Sequence, residues 1–309
     1  MAKHVLVVGA TGRLGRHFMD VLLREGHKVS ALVRNGADPH AERSALLARF
    51  IAGGARVVPG TLDDAAALAR ACEGVTEIVS CIDHRPDHLM QQVALAQAAA
   101  RAGTVQRIMP SQFGIDSRLY GQARVEHGDA KRRVQEEFAK AGVPATFVHT
   151  NGLAGEWIGS LGQLGLRRPP RSEVEVYGDG HTRFSTVAIE DVARHAVRAL
   201  FDPAAANRHV VVIPPDNLLT QNELIAMWEQ KASVALTRRP IRRESLDERI
   251  ATLAQDPSKG PEFALAQLVR AAWLDGLGDG RRLPDVIDAV EAYPEIGYLR
   301  ASDYLDRYL

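Results

Sequence analysis

Short runs of β-branched residues alternate with longer amphipathic stretches through the first half of this 309-residue chain. The apolar runs cover residues 4–8, 28–33, 56–59, 77–82, 106–109 and 145–150. The helical stretches between them cover residues 12–25, 41–52, 63–71, 87–102 and 124–141. Such alternation is typical of βαβ units, in which parallel strands form one sheet and helices cover both of its faces. The sequence therefore predicts an α/β fold, a Rossmann-type doubly wound parallel sheet, with a smaller and mostly α second domain.

A glycine motif, GATGRLG at residues 9–15, joins the first strand to the first helix. Glycines in this context permit a tight turn, close approach of a pyrophosphate to the backbone, and close packing of the helix against the strand. The N–H groups at the start of the helix then bind the phosphates. A simple tight turn is the alternative. The residues predicted to hold a dinucleotide here are Gly9, Thr11, Gly12, Arg13, Leu14 and Gly15.

The end of the second strand favours NADP(H) over NAD(H). Folds that bind NAD usually place an Asp or Glu there to accept a hydrogen bond from the ribose 2′-OH. This strand ends instead at Arg34, and no acid follows before Asp38. A guanidinium pairs with a 2′-phosphate, which a carboxylate would repel. We therefore predict that Arg34 binds the 2′-phosphate of NADPH and that Arg43 is a second contact. The alternative for each residue is an ordinary arginine exposed to solvent.

The regular alternation of strands and helices ends after Asn151. Residues 152–183 are rich in Gly, Pro and Arg, a helix follows at 189–200, and one more strand is predicted at 209–213. Thr220 and Glu223 form a capping-box pattern at the start of a helix that runs to about Lys231, and the remainder is mostly helical. We predict an NADP-binding domain at residues 1–151 to which 184–213 return, and a substrate-binding domain at 152–183 and 214–309.

Composition excludes several classes of partner. Lys+Arg and Asp+Glu both number 38, so no basic excess favours nucleic acid. Only Cys72 and Cys81 occur, which indicates a reducing compartment rather than a disulfide framework. No apolar run reaches the roughly 18 residues of a membrane span, and the N-terminus resembles a strand rather than a signal peptide. We expect a cytoplasmic protein that handles a small molecule, without a membrane or nucleic-acid partner and without a metal.

Lys131 is the candidate general base. The Tyr-x-x-x-Lys pair of short-chain dehydrogenases is missing, because Arg124 follows four residues after Tyr120. Lys131 lies in the helical stretch that follows the fifth strand. This position brings it to the carboxyl edge of the sheet, where ligands bind in such folds. A lysine beside a cofactor and an apolar substrate can act as a base, since burial favours its neutral form. A solvated charge run, Lys131-Arg132-Arg133, is the alternative.

Several motifs resemble the isoflavone reductase-like family, which belongs to the atypical, NmrA-like short-chain dehydrogenases. QRIMPSQFG at 106–114 resembles its K-R-F-x-P-S-E-F-G segment, AGVPATFV at 141–148 its AxGIPYTYV strand, and NGLAG at 151–155 its N-x-F-A-G. Gly178-Asp179-Gly180, Glu190-Asp191, Asn222-Glu223-Leu224 and Asp303-Tyr304-Leu305 follow in the family's order. The family includes phenylcoumaran benzylic ether reductases and pinoresinol–lariciresinol reductases, and the resemblance covers nearly the whole chain.

The resemblance implies NADPH as the hydride donor, a small phenolic substrate and, in many members, a homodimer. The family's catalytic lysine lies eleven residues before the glycine of GIP, which corresponds to Lys131 before Gly142. By the same mapping Ser80 meets the cofactor, and Ser111 and Phe113 line the side where the nicotinamide lies. Asn151 and the loop that follows it, including Trp157, would border the substrate.

The chain departs from the family pattern at several positions near the site. Gln112 replaces an acidic residue, and Gln135 stands where an arginine near the cofactor is common. Leu153 and Glu156 replace aromatic residues, and Arg270 stands where a histidine is common. These departures leave the prediction of the cofactor intact and bear on the prediction of the substrate.

The function that the resemblance implies is NADPH-dependent opening of a benzylic aryl ether. The substrate would be a lignan-type phenolic such as pinoresinol or lariciresinol, and the reaction would pass through a quinone methide that accepts a hydride. An isoflavone or quinone as the substrate of an NADPH reductase is one alternative. A non-catalytic NmrA-like redox sensor that binds NADP is another, although such a sensor needs no lysine at position 131.

Overall fold

The computed structural model describes residues 2–34, 41–121 and 125–309. Arg124, the first residue of one predicted helix, therefore lies outside the described residues. The elements of the first half are β1 (His4–Val8), α1 (Gly15–Arg24), β2 (Lys28–Val33), α2 (Ala41–Ala52), β3 (Arg56–Pro59), α3 (Ala65–Cys72), β4 (Glu77–Ser80), α4 (Pro86–Ala102), β5 (Arg107–Met109), α5 (Glu126–Ala141) and β6 (Thr146–His149).

The second half contains more strands than the sequence predicted. Its elements are β7 (Gly152–Leu153), α6 (Ala154–Trp157), β8 (Glu173–Tyr177), β9 (Arg183–Val187), α7 (Ile189–Phe201), β10 (Arg208–Val211), β11 (Leu218–Thr220), α8 (Gln221–Ala232), β12 (Thr237–Ile241), α9 (Arg243–Leu253), α10 (Gly260–Val269), β13 (Val286–Asp288), α11 (Ala289–Ala292) and α12 (Ala301–Leu305).

The central sheet is parallel, with strand order β3-β2-β1-β4-β5. A parallel bridge between Ile108 and Ala145 extends it towards β6, which pairs with β10. All five residues of β1 are buried, as expected for a central strand that helices cover on both faces. This arrangement confirms the predicted Rossmann-type α/β fold.

Two compact units divide the chain. The first comprises Met1–Gln112, Asp129–Val148 and Ala193–Val210, and the second comprises Phe113–Gly128, His149–Val192 and Val211–Leu309. The assignment of one domain to the cofactor and another to the substrate stays a prediction. In the second unit, β9 pairs with β7 and β11, and β8 pairs in parallel with β12.

Each unit has its own apolar core. In the first unit, Leu6 and Ile78 of the sheet pack with Leu95 of α4 and Phe138 of α5. Pro86 in the first turn of α4 and Gly103 at its C-cap, with φ +67°, set the bounds of that helix. The second unit has one cluster around Trp228 and another that includes aromatic side chains from α6, β9 and the π-turn at Arg270–Leu274. Among the helices described, none has the length and apolar character to cross a bilayer.

The predicted capping box at the start of α8 is present. The Thr220 hydroxyl accepts from the Glu223 N–H at 3.1 Å, and the Glu223 carboxylate accepts from the Thr220 N–H at 2.8 Å. The two bonds satisfy N–H groups that the helix itself cannot pair. They fix where α8 begins.

We expect Thr220→Ala to lower the free energy of unfolding by about 1 kcal/mol, because it removes the cap hydroxyl from α8. Urea denaturation followed by circular dichroism measures the change. Thr104→Ala is the matched control, since Thr104 is exposed in a loop. Equal stability of the two variants would contradict the role given to the cap.

Candidate functional site

The turn between β1 and α1 leaves no room for a side chain at Gly9 or Gly15. Gly9 has φ +79°, a left-handed conformation that favours glycine, and a Cβ there would lie 2.6 Å from the Cys81 carbonyl oxygen. A Cβ on Gly15 would lie 2.1 Å from the Gly9 carbonyl oxygen. The Gly12 N–H closes the turn by donating to the Gly9 carbonyl at 2.9 Å. The glycines therefore bring α1 directly against the ends of β1 and β4.

The first turn of α1 begins without a side-chain cap. Its N-cap is Leu14, whose side chain has no acceptor, and the N–H groups of Arg16 and His17 donate to the Gly12 and Leu14 carbonyls at 3.2 and 3.0 Å. The positive end of the helix dipole still favours an anion at this end of α1. Thr11 is half-buried and Arg13 is exposed beside this turn. Arg16 donates to the Gly12 carbonyl at 3.3 Å and pairs with Glu42 of α2 at 3.1 Å. The motif thus forms a glycine cradle at the start of α1, flanked by arginine side chains.

The carboxyl ends of β1, β2 and β4 lie at one edge of the sheet. Val8 of β1 is in register with Leu32 of β2 on one side and with Ser80 of β4 on the other. Arg34 follows β2 at this edge and is exposed, and Arg43 is half-buried in the first turn of α2. Arg34, which is predicted to bind a 2′-phosphate, therefore lies at the same edge of the sheet as the glycine turn.

Ser80 carries a buried hydroxyl for which the described residues offer no hydrogen-bond partner. Such a group is costly unless something else satisfies it. It lies at the end of β4, next to the residue that contacts Gly9. A glycine cradle that admits backbone contact and an orphaned hydroxyl at the same edge fit a dinucleotide cofactor.

Ser111 ties the segment after β5 to neighbouring elements of the first unit. Its N–H donates to Gln92 Oε1 at 2.7 Å, and its hydroxyl donates to the Ile82 carbonyl at 2.7 Å. The serine thus fixes the path of the loop that leads to Gln112. Phe113, the next residue, is the first of the second unit. The predicted role of Ser111 and Phe113 beside the nicotinamide stays a prediction.

Lys131 is not part of a solvated face. It is 1% exposed, whereas Arg133 on the same helix is exposed. Lys131 lies on the buried face of α5 together with Val134 and Phe138, at spacings of three and four residues. The charged run at residues 131–133 therefore contains one buried lysine, followed by the half-buried Arg132 and the exposed Arg133.

Lys131 and Gln112 are joined by reciprocal hydrogen bonds. Lys131 Nζ donates to the Gln112 carbonyl at 3.1 Å, and Gln112 Nε2 donates to the Lys131 carbonyl at 3.3 Å. Gln135, one turn further along α5, donates from Nε2 to Gln112 Oε1 at 3.0 Å. The two glutamines that depart from the family pattern therefore meet each other beside the candidate base.

Asn151 and Trp157 lie within the second unit, where both have structural contacts. Asn151 has φ +49°, and its side-chain amide donates to the Gly278 carbonyl at 3.0 Å. Trp157 is 5% exposed, with its ring centroid 4.3 Å from that of Phe184 and 5.9 Å from that of Trp273. Their predicted contact with a substrate stays a prediction.

Two further positions that depart from the family pattern, Glu156 and Arg270, belong to the same unit. Glu156 lies in the short helix α6. Arg270 begins the π-turn that continues α10, with Nε 2.8 Å from Asp247 Oδ1. The ion pair joins Arg270 to α9, which contains Asp247.

A buried charged cluster that the sequence did not predict lies in the second unit. Asp116 is fully buried, with Oδ2 2.6 Å from an Arg118 guanidinium nitrogen and 3.3 Å from His149 Nε2. Burial by itself raises the pKa of Asp116, but the charge of His149 and the hydrogen bonds from Arg118 outweigh it and lower the pKa to about 2. The Asp-x-Arg spacing is a local signal for the pair of Asp116 and Arg118. No sequence pattern connects Asp116 to His149, which lies 33 positions later.

We expect Asp116→Asn to destabilise the protein at neutral pH. A carboxyl with a lowered pKa contributes stability above its unfolded pKa of about 3.9, and this contribution disappears as the pH falls towards about 2. The variant should therefore lose roughly 2–3 kcal/mol at pH 7, with the difference from wild type narrowing between pH 4 and 2.

Urea denaturation across that pH range measures the effect of Asp116→Asn. Asp63→Asn, at an exposed position, serves as the control and should follow the wild-type curve. A difference between Asp116→Asn and wild type that stays constant from pH 7 to pH 2 would contradict the assigned role of the carboxylate.

Comparisons with known proteins match this chain over nearly its whole length. Residues 1–270 match the NmrA-like family. The chain is 29% identical over 313 residues to the bifunctional pinoresinol-lariciresinol reductase 2 of Thuja plicata, covering 100% of this chain and 99% of that one. It is 33% identical over 309 residues to the isoflavone reductase homolog IRL of Zea mays, covering 99% and 98%. The solved structure of AtPrR2 with NADP+ and (+)pinoresinol is similar with a TM-score of 0.92 at 30% identity, covering 100% and 99%.

Proposed function

Because this chain belongs to the NmrA-like family, we propose that it opens the benzylic ether of a lignan-type phenol such as pinoresinol or lariciresinol. It is an NADPH-dependent oxidoreductase of the isoflavone reductase-like type. The proposed ether opening rests on the position of Lys131. This residue is a buried amine on α5 that is hydrogen-bonded to the loop after β5. A base in such a position suits a reaction that begins with loss of a phenol proton.

We assign the cofactor to the edge of the sheet formed by the ends of β1, β2 and β4. The first turn of α1 would bind the pyrophosphate, Arg34 the 2′-phosphate with Arg43 beside it, and Ser80 a polar group of the dinucleotide. The crowded glycines and the orphaned Ser80 hydroxyl support this assignment. NADPH, when bound, supplies a hydride to the benzylic carbon of the substrate.

Lys131 has the role of a proton carrier in this proposal. Its Nζ accepts the proton of the para-phenol, directly or through a water. The phenolate then expels the benzylic ether oxygen, which takes up a proton, and leaves a quinone methide. Once the benzylic carbon is reduced, the ring is aromatic again as a phenolate, and Lys131 returns the proton to its oxygen. The lysine therefore ends the cycle in its starting state.

We expect Lys131→Ala to lower turnover by roughly 10²–10⁴-fold, the usual contribution of a general acid–base group, while the Kd for NADPH stays nearly unchanged. Anaerobic NADPH oxidation measures turnover against pinoresinol, lariciresinol, a phenylcoumaran, an isoflavone and a quinone. Lys140→Ala is the control, because Lys140 lies on the same helix with its side chain 68% exposed.

The same assay tests the order of steps. Methylation of the para-phenol should abolish turnover, because no phenolate can then form. Normal turnover of the methyl ether would contradict the mechanism, and turnover of the isoflavone or quinone alone would contradict the substrate class. Binding of NADPH without turnover of any compound would contradict the proposed reaction.

We expect Arg34→Ala to weaken NADPH binding roughly 10- to 100-fold, since it removes a hydrogen-bonded charge from the 2′-phosphate. Binding of NADH, which lacks that phosphate, should change little. Fluorescence titration with both cofactors measures the ratio, and Arg24→Ala at the exposed end of α1 is the control. An equal loss of affinity for NADPH and NADH would contradict the assignment of Arg34.

We also propose that the chain forms a homodimer, as the resemblance implies. Light scattering coupled to size exclusion should give twice the mass of one chain. A monomer mass at micromolar concentration would contradict this.

A further inference from the structure

Lys131 is distinguished by its burial from the other lysines of the chain. The sequence contains six lysines, at positions 3, 28, 131, 140, 231 and 259. Lys131 is 1% exposed, whereas the side chains of the other five are exposed or half-buried. A flexible amine buried in this way needs its direction fixed by its surroundings, because a misplaced general base loses much of its effect.

Gln112 contacts Lys131 through both its backbone and its side chain. The Gln112 carbonyl accepts from Lys131 Nζ at 3.1 Å, so it sets where the amine lies. The Gln112 side chain donates to the Lys131 carbonyl at 3.3 Å, so it holds the loop after β5 against α5. Gln112 is fully buried, and these contacts take place away from bulk water.

The Lys131 carbonyl, which can only accept, determines which way the Gln112 amide faces. Gln135 Nε2 donates to Gln112 Oε1 at 3.0 Å, which leaves Gln112 Nε2 as the end directed at the Lys131 carbonyl. If the Gln112 amide were reversed, two oxygens would face each other at Lys131. The orientation that joins loop to helix therefore directs Gln112 Oε1 at position 135, where a donor satisfies it.

We propose that Gln112 and Gln135 are positioning residues for Lys131, an inference that rests on the proposed function and deepens it. The pair holds the loop carbonyl that receives Lys131 Nζ. It does so with neutral amides, at the two positions where the resemblance implies an acid and an arginine. What the mechanism needs from position 135 is a donor aimed at position 112, and either glutamine or arginine supplies one.

The test compares two substitutions at position 135. Gln135→Met keeps the length of the side chain and removes the donor without adding charge, whereas Gln135→Arg keeps a donor. Glu136→Met, at the exposed neighbouring position, is the control. We expect Gln135→Met to lower kcat roughly tenfold, with KM and the Kd for NADPH within about twofold of wild type, and Gln135→Arg to restore kcat.

A second kinetic readout separates positioning of the base from a structural role. A substrate analogue with fluorine ortho to the phenol is more acidic and depends less on the base. The kcat deficit of Gln135→Met should therefore shrink with this analogue. A deficit that is equal for both substrates, or a kcat equal to that of wild type, would overturn the proposal.

A measurement on the lysine itself keeps the test independent of turnover. Labelling with [¹³Cε]lysine gives six signals, and Lys131→Arg identifies the one from Lys131. We expect Gln135→Met to shift this signal while Gln135→Arg and Glu136→Met leave it in place. If wild type turns over none of the panel but the signal shifts, the positioning pair stands and the proposed reaction falls. If wild type is active and the Lys131 signal is unchanged in Gln135→Met, the positioning role of Gln112 and Gln135 is overturned. If Gln135→Met does not fold, Gln135→Glu takes its place in the same measurements.

Discussion

The close approach of α1 to the ends of β1 and β4 is the constraint on which the edge of the sheet assigned to the cofactor depends. At Gly15 there is no room for a Cβ, since it would lie 2.1 Å from the Gly9 carbonyl oxygen. Because the helix begins this close to the sheet, its N-terminus lies at the edge where β1, β2 and β4 end. The exposed Arg34 and the buried Ser80 hydroxyl are at the same edge because the register of three parallel strands puts them there. Backbone crowding at the turn therefore places the start of α1 at this edge, and strand register brings Arg34 and Ser80 to the same edge.

A second constraint is the need to hold Lys131, the candidate base on α5, in one direction. An amine in a protein interior must have polar contacts, and a base must also be held in one direction. Lys131 receives both from the segment after β5, whose path is fixed by the bonds of Ser111 to Gln92 and Ile82. The candidate base is thus oriented by a loop that leaves the same sheet, rather than by its own helix alone. This explains how a lysine within a run of charged residues can serve a buried site.

The sequence was sufficient to predict the parallel sheet but not the small sheets of the second unit. Buried parallel strands such as β1 are continuous apolar runs, and β2, β3 and α2 have the predicted bounds. By contrast β12 contains Arg238, Arg239 and Pro240, all exposed, and its pairing with β8 is a tertiary contact that no local pattern encodes. The glycine turn could be predicted because its chemistry is local. The burial of Lys131 could not, since it depends on Gln112, which lies 19 positions earlier, and on the face that α5 turns to the core.

The central claim is that this chain reduces a benzylic carbon with hydride from NADPH, and isotope transfer tests it most directly. The protein would be incubated with NADPH carrying deuterium at the transferred position and with pinoresinol, and the product would be analysed by NMR and mass spectrometry. The account predicts one deuterium per opened ether, located at the benzylic carbon. An opened product without deuterium at that carbon, or recovery of unchanged pinoresinol alongside tightly bound NADPH, would contradict it.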